Sequence, residues 1–241
     1  MSSAGSFQGF SRDTLDFYAE LALNNDRAWF EHQRERFRSV VLQPAADFVA
    51  AMAERLRLIS PYIVADPRTN GSGSIFRIHR DTRFSKDKTP FKTYLGILFW
   101  EGSRPKMENS GFYFHLEPNK LLLYAGIYEF TAPLLARYRD AVVHSVQGAA
   151  LARAAHEVIA TGRCEIGGRH YKRIPAGYDP DHPNAEFLFH RALYASTGGD
   201  LPTEIFSPQL LDYCLEHFTD MAPLHSWIVS VLEGDAGAAQ P

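Results

Sequence analysis

The densest chemical potential in the sequence lies in FRIHRDTRFSKDKTPFKT, residues 76–93, where Arg77, Arg80, Arg83, Lys86, Lys88 and Lys92 stand against only Asp81 and Asp87. This local charge of +4 interrupts a chain whose net charge is −3. Guanidinium groups offer planar forks to phosphate or carboxylate oxygens, and ammonium groups act as point charges, so the pattern suits a small anion. Three charge-assisted hydrogen bonds at about 1.5–3 kcal/mol each give about 5–9 kcal/mol, comparable with the estimated 4–15 kcal/mol cost of association. A basic loop alone therefore binds weakly, and useful affinity needs a wall. Phe84, Tyr94, Tyr113 and Tyr124 are candidates for it. An alternative needs no ligand: Asp81 and Asp87 pair with neighbouring cations, and a charged hairpin protects a sheet edge.

Two histidines and a glutamate extend the candidate site. Strand alternation places Arg77 and His79 on one face and Phe76, Ile78 and Arg80 on the other, the apolar pair facing the core. In GFYFHLEP the same rule turns Phe112, Phe114 and Leu116 inward and leaves Tyr113, His115 and Glu117 outward. His79, His115 and Glu117 could then share a polar surface and move protons near neutral pH, or be half-buried sheet residues with no such role. No reaction class follows, so enzymatic activity stays open. Asp179, Asp181 and His182 in a Pro-rich loop offer hard oxygens and an imidazole to a metal, but Asp beside Pro also makes turns.

Several signatures are excluded. Gly71-Ser72-Gly73 precedes an expected strand and has Phe76 where a dinucleotide fingerprint requires its third glycine. His156-Glu157 is followed by Ala160 where a zinc protease needs its second histidine. No phosphate loop ending in Gly-Lys-Ser/Thr is present, and Cys164 and Cys214 are too isolated for a metal ribbon or redox pair. Asn70-Gly71-Ser72 reads as a turn. With no leader-like N-terminus and no long apolar run, the expectation is a soluble cytoplasmic chain with no membrane association. The overall charge gives no reason to expect nucleic acid as a partner.

The elements that would position these groups are legible from periodicity. Ser11 caps a helix to about Asn24, Asp26 caps a second bearing Trp29, Phe30, Phe37 and Val41, and Pro44 starts a third that Ser60-Pro61 ends. Strands are expected over Ile75–Arg80, Phe91–Trp100, Gly111–Glu117 and Lys120–Ile127, the last two joined at Pro118-Asn119. Thr131 opens a helix, Gly148 separates it from another, and Gly167-Gly168 closes a hairpin between Cys164–Ile166 and Tyr171–Ile174. A further strand is expected over Leu193–Ser196. Ser207-Pro208 opens a final helical region broken near Pro223. The fold expected is α+β: an antiparallel meander of about four to six strands flanked by N-terminal, middle and C-terminal helices. It forms one domain over residues 1–232, with a flexible tail over 233–241.

RDTRFSKDKTPFKT at Arg80–Thr93, GFYFHLEP at Gly111–Pro118, GIYEF at Gly126–Phe130 and KRIPAGYDPDHP at Lys172–Pro183 together resemble a microbial and fungal family known as domain of unknown function twenty-four sixty-one. The resemblance runs from about Phe10 to Leu232 and carries no established activity. It implies that the basic motif, the aromatic strand and the Pro-Asp-His loop belong to one domain. Lys172, Arg173, Tyr178, Asp179 and His182 thereby become possible neighbours of the site. The functional expectation is a small-anion or phosphometabolite cleft around residues 77–92, with Arg77, Arg80, Arg83, Lys86, Lys88, Lys92, Tyr94 and Tyr113 as ligand-binding candidates. The competing expectation is an interaction module that offers the basic hairpin and aromatic strand to a protein or nucleic acid.

Overall fold

A computed structural model describes residues 6–233; of the tail expected over 233–241, Glu233 ends the last helix instead and residues 234–241 lie outside the described residues. Strand β1 (Leu95–Glu101), β2 (Ser110–Glu117), β3 (Lys120–Ile127), β4 (Glu165–Arg169) and β5 (His190–Asp200) form an antiparallel sheet in the order β1-β2-β3-β5-β4. This is the expected α+β meander, extended by β5 and β4 after a helical excursion. Alternation puts Ile97 and Phe99, then Phe112, Phe114 and Leu116, then Leu121, Leu123, Ala125 and Ile127, in the core at no more than 1% exposure.

That inner face is covered by α4 (Gln43–Leu56) and α7 (Leu210–Glu233). Phe48 of α4 packs 4.8 Å from Phe114, and Phe218 of α7 packs 5.1 Å from Phe112, measured between ring centroids. The helix α1 (Arg12–Leu23) starts as expected at Ser11, whose side chain accepts from the Thr14 amide in a capping box. The second expected helix begins at its Asp26 cap but divides. α2 (Arg27–His32) gives way to α3 (Arg34–Phe37), and a π-helical turn over Arg38–Leu42 then leads into α4.

Four other boundaries differ from expectation. Gly148 lies inside α6 (Ser145–Ala160), and the break from α5 (Ala132–Val143) falls at His144, whose ring accepts from the Val146 and Gln147 amides. Gly167 and Gly168 do not turn a hairpin; both belong to β4, which pairs with β5 across a bulge, and Tyr171–Ile174 forms no strand. Gly168 is required there because at φ +110° a Cβ would fall 2.1 Å from the Ala192 carbonyl oxygen. Pro223 does not break α7: the rung it removes would have gone to exposed Thr219, where water can replace it, and buried Phe218, Met221, Leu224 and Ile228 hold the helix on the core.

The largest departure concerns Ile75–Arg80. It forms isolated bridges, Ile75 to Ile97 and His79 to Phe91, and the two imply registers that differ by two residues. Thr93 and Tyr94 take up the slack as bends, which is why β1 starts at Leu95 and not at Phe91. The segment still shields the β1 edge, with Phe76 N–H donating to Gly96 O at 2.9 Å and Leu98 N–H to Ser74 O at 3.0 Å.

A polar cluster is enclosed where β1, β2 and α7 meet. Glu101 accepts from Ser60 and lies 3.4 Å from Nε2 of His225, whose Nδ1 is 2.9 Å from Ser110 Oγ. The hydrogen bond with His225, supported by that from Ser60, holds the Glu101 carboxyl below its ordinary value of 4.5 despite burial. A depressed carboxyl pKa contributes stability above the ordinary value and loses it as pH falls through the folded one. Glu101→Gln should cost about 1–3 kcal/mol near neutral pH, and the difference should shrink below the ordinary carboxylate value. Thermal melts of both proteins across that range check this; a difference that persists undiminished in acid would exclude the charge as its source.

Candidate functional site

Helices α4 and α7 pack on the inner face of the sheet, and the outward residues Tyr113, His115 and Glu117 of β2 and Tyr124 of β3 are half-buried on the other face. Along β2 they form a hydrogen-bonded line. Glu117 Oε1 lies 3.0 Å from His115 Nε2, and His115 Nδ1 lies 3.3 Å from the Tyr113 hydroxyl. With Nε2–H donating to the carboxylate, Nδ1 is left as acceptor for the phenol proton. The Tyr94 ring lies over His115 with centroids 4.2 Å apart, placed there by the bend that ends the irregular pairing before β1. Burial and the neighbouring Tyr94 and Tyr124 hydroxyls push the Tyr113 pKa up, so the phenol stays protonated. The arrangement presents a fixed neutral hydroxyl and no activated nucleophile.

Next to this line stands a group of cations without anionic partners. Lys92 Nζ lies 5.2 Å from the Phe76 ring centroid and Lys106 Nζ 4.4 Å from it. Neither ammonium has a carboxylate partner among the described residues; Lys106 donates to the Gly73 carbonyl oxygen at 2.7 Å, and Asp66, whose charge acts on it, is engaged by Arg68. Burial lowers the Lys92 pKa and Arg77 lowers it further; burial and Lys92 lower that of Lys106. Three cations therefore bear on one another beside an aromatic floor.

The position of Lys92 follows from local chemistry. The Asn25 side chain accepts from the Phe91 amide and donates to the Phe91 carbonyl, both at 3.0 Å, imitating a strand partner. The Phe91 ring stacks on Phe30 at 4.3 Å, and Lys92 N–H donates to Ile78 O at 2.8 Å. An open cleft of about 630 Å³ runs beside it, lined by Asn25, Arg80, Asp87, Lys92 and Tyr94. A smaller cavity of about 190 Å³, bounded by Phe37, Arg38, Phe76, Arg77 and His79, flanks the same segment beside the π-helical turn.

The expected basic residues separate into two groups. Arg80 is held by Asp87 and Thr89, Arg83 by Asp81, and Lys88 donates to the Thr82 carbonyl at 2.9 Å. Asp81 is pulled down to about 2 by Arg83, and Asp87 to about 2 by the Thr89 amide and Arg80, so these pairs satisfy themselves within the loop. Lys86 and Phe84 are exposed, and Phe84 lies under Arg83 at 5.8 Å. Lys92, Arg77 and the exposed Lys86 remain without an anionic partner among the described residues, and of these Lys92 and Arg77 lie beside the Phe76 ring.

The facing expected for residues 76–79 holds for Ile78, which is buried, and for Arg77 and His79, which are exposed, but not for Phe76. Ile75 takes the core position beside Ile97, so Phe76 turns outward to pack 5.9 Å from Tyr113, while His79 packs on Phe91 and Phe30. His79 makes no hydrogen bond to His115 or Glu117 and does not join their line. The Lys172–His182 region also lies elsewhere. Tyr171 packs under Arg139 of α5 at 4.9 Å, and Tyr178 donates to Asp140 of α5 at 3.1 Å. Asp179 and His182 accept the amides of Asp181 and Asn184, and among the described residues no group of three His, Cys, Asp or Glu side chains is arranged to hold a metal ion. No helix among those residues is long and apolar enough to cross a membrane.

A match to the conserved hypothetical protein family DUF2461 spans residues 13–227. The chain belongs to that family. No curated protein and no solved structure gives a significant match. In this DUF2461 member, Lys106, Gly96 and the outward role of Phe76 are features that sequence reasoning missed. Lys106 sits in the irregular β1–β2 connection, where no periodicity signals its direction.

Gly96 sets the packing of the open face. A Cβ there would lie 2.5 Å from the Tyr113 hydroxyl oxygen and 3.3 Å from Phe76 Cδ2. Gly96→Ala should displace the phenol from His115 at a cost of about 1–3 kcal/mol. The measurements are a denaturation midpoint and the His115 ring resonances; unchanged resonances would mean that Tyr113 does not touch His115 as described.

Proposed function

We propose that this protein binds a small anionic ligand on the open sheet face, with a phosphoryl or carboxylate group seated by Lys92 and Lys106 above Phe76. The observation that carries this reading is the pair of half-buried ammonium groups beside the Phe76 ring, with Arg77 acting on Lys92 and Lys92 on Lys106, and with no carboxylate in contact with either ammonium, Asp66 acting on Lys106 only from a distance. A bound anion converts the cost of burying those ammonium groups into charge-assisted hydrogen bonds. The cleft of about 630 Å³ that Lys92 shares with Asn25, Arg80, Asp81, Asp87 and Tyr94 adjoins this place, and Phe76 and Lys106 stand outside its lining. Phe76, Tyr94 and Tyr113 supply the wall that the basic loop lacks by itself. The self-paired Arg80 lines the cleft, Arg83 is spent on Asp81, and neither holds the anion.

Thermal shifts with inorganic phosphate, ribose 5-phosphate and citrate test this. The wild type should be stabilised in proportion to the logarithm of ligand concentration, by about 2.7 kcal/mol at a hundredfold excess over Kd. Lys92→Met should lose most of the response yet melt no lower without ligand, because it removes a charge whose burial is unfavourable. Arg83→Ala should respond as wild type does.

The pH dependence has a defined sign. A depressed lysine pKa means that the charged form is present below the folded value, so binding should fade as pH rises toward 10.5, the ordinary lysine value, and before reaching it. Over the same range the ligand-free protein should gain stability, since the folded state releases its proton before the unfolded chain does. A wild type that no anion stabilises, or a Lys92→Met variant with an undiminished response, would refute the reading.

A further inference from the structure

The smaller cavity beside the π-helical turn has no role in the anion reading above. Its floor is apolar: Phe30, Phe37 and Ile78 are buried, no more than 8% exposed, and Leu42 and Phe76 are half-buried. Core packing explains the rings, since the Phe30 and Phe37 centroids lie 5.3 Å apart. It explains neither the open volume of about 190 Å³ in front of them nor the charges that surround it.

Three guanidinium groups and one imidazole stand around this floor, and no carboxylate lines it. Arg34 is paired with Glu31 and Arg38 with Glu35, each within one helical turn. Arg77 has no anionic partner among the described residues. Its charge reaches Asp81, but that carboxylate is engaged by Arg83. His79, two residues further on and exposed like Arg77, makes no side-chain hydrogen bond among the described residues.

Two local features set the walls. The Asn70 side chain accepts from the Ser72 amide at 3.0 Å, and the turn so formed comes close enough that a Cβ on Gly71 would lie 2.9 Å from Arg77 Cβ. That contact fixes the base of the arginine. On the helical side, the π-helical turn holds one residue more than an α-helical turn, so Val41 enters the core while Leu42 joins Arg38 in the cavity wall.

We propose that this cavity is a second binding site, for a small aromatic monocarboxylic acid whose ring lies on the Phe30, Phe37 and Ile78 floor and whose carboxylate is taken by Arg77 with His79 beside it. An apolar cavity of about 150 Å³ accepts benzene, so about 190 Å³ suits one ring with a short acidic arm. A guanidinium meets a carboxylate fork to fork. A second negative group would find no unpaired arginine here, because Arg34 and Arg38 are already spent on glutamates. Neither Lys92 nor Lys106 lines the cavity, so failure of phosphate to bind at the lysines would leave this inference standing.

Titration with phenylacetate, followed through amide resonances, tests the site against two probes that each lack half of the ligand: acetate has no ring, and phenylacetamide has no charge. Phenylacetate should shift residues 34–42 and 76–79 saturably and bind about tenfold or more tightly than either probe. Arg77→Gln should bring phenylacetate down to the affinity of phenylacetamide and leave phenylacetamide unaffected. Arg77 is exposed, so this variant should fold as wild type does, and its melting curve checks that. No saturable shift up to the solubility limit, equal affinity for phenylacetate and either probe, or an undiminished response in Arg77→Gln would overturn the site. Shifts confined to Lys92, Lys106 and their neighbours would overturn it as well, and would place the acid at the lysines of the anion reading.

Discussion

Phe112, Phe114 and Leu116 can enter the core only if Tyr113, His115 and Glu117 point away from it, because successive side chains on a strand leave opposite faces. The apolar set is buried against α4 and α7 and cannot change register without exposing itself. The outward set is therefore fixed as firmly as the core, although it contributes little to that burial. Every candidate group on β2 and β3 inherits its direction from this constraint. The spacing of two residues that links Glu117 to His115 and His115 to Tyr113 is the pleat itself.

A second constraint acts at the sheet edge. β1 is the outermost strand on its side, and an unpaired edge invites association. The chain between Val64 and Arg80 covers it with scattered bridges to Trp100, Ile97 and Phe91. A full ladder would have kept one register and one facing; the two-residue slip lets Ile75 face the core while Phe76 lies on the open face under Lys92 and Lys106. Edge protection and formation of the cation cluster are thus two consequences of one irregular segment. The Asn25 clamp on Phe91 keeps the slip from relaxing, since both polar groups of that backbone unit are already satisfied by a side chain from the helical layer.

These two constraints explain what was legible beforehand. β2 and β3 follow strict alternation and are joined by a two-residue turn, so their facing and the Tyr113–His115–Glu117 line could be read from residue types alone. Ser11 and Asp26 announced two helix starts for the same reason: a cap is a local hydrogen bond between a side chain and a nearby amide. The facing of Phe76 could not be read that way, because it depends on a register slip against a strand some twenty residues on. Lys106 lies in an irregular connection and acquires its direction only from contact with Gly73 and Phe76. Pro223 and Gly148 were misleading because local propensity was outweighed by helix packing.

Charge density proved a poor guide to charge availability. Six cations drew attention to residues 76–93, yet Arg80 and Arg83 are held by aspartates two to seven residues away, and Lys88 by a carbonyl. Close spacing along the chain makes such local pairs easy to form, since little chain entropy is lost in closing a short loop. The cations that stay unpaired come from separate segments: Arg77 and Lys92 lie on opposite sides of the hairpin, and Lys106 lies beyond β1. What unites them is the Phe76 ring and the low solvent access around it. A group that can bind must have its ordinary partners kept away, and here distance along the sequence and aromatic packing achieve that together.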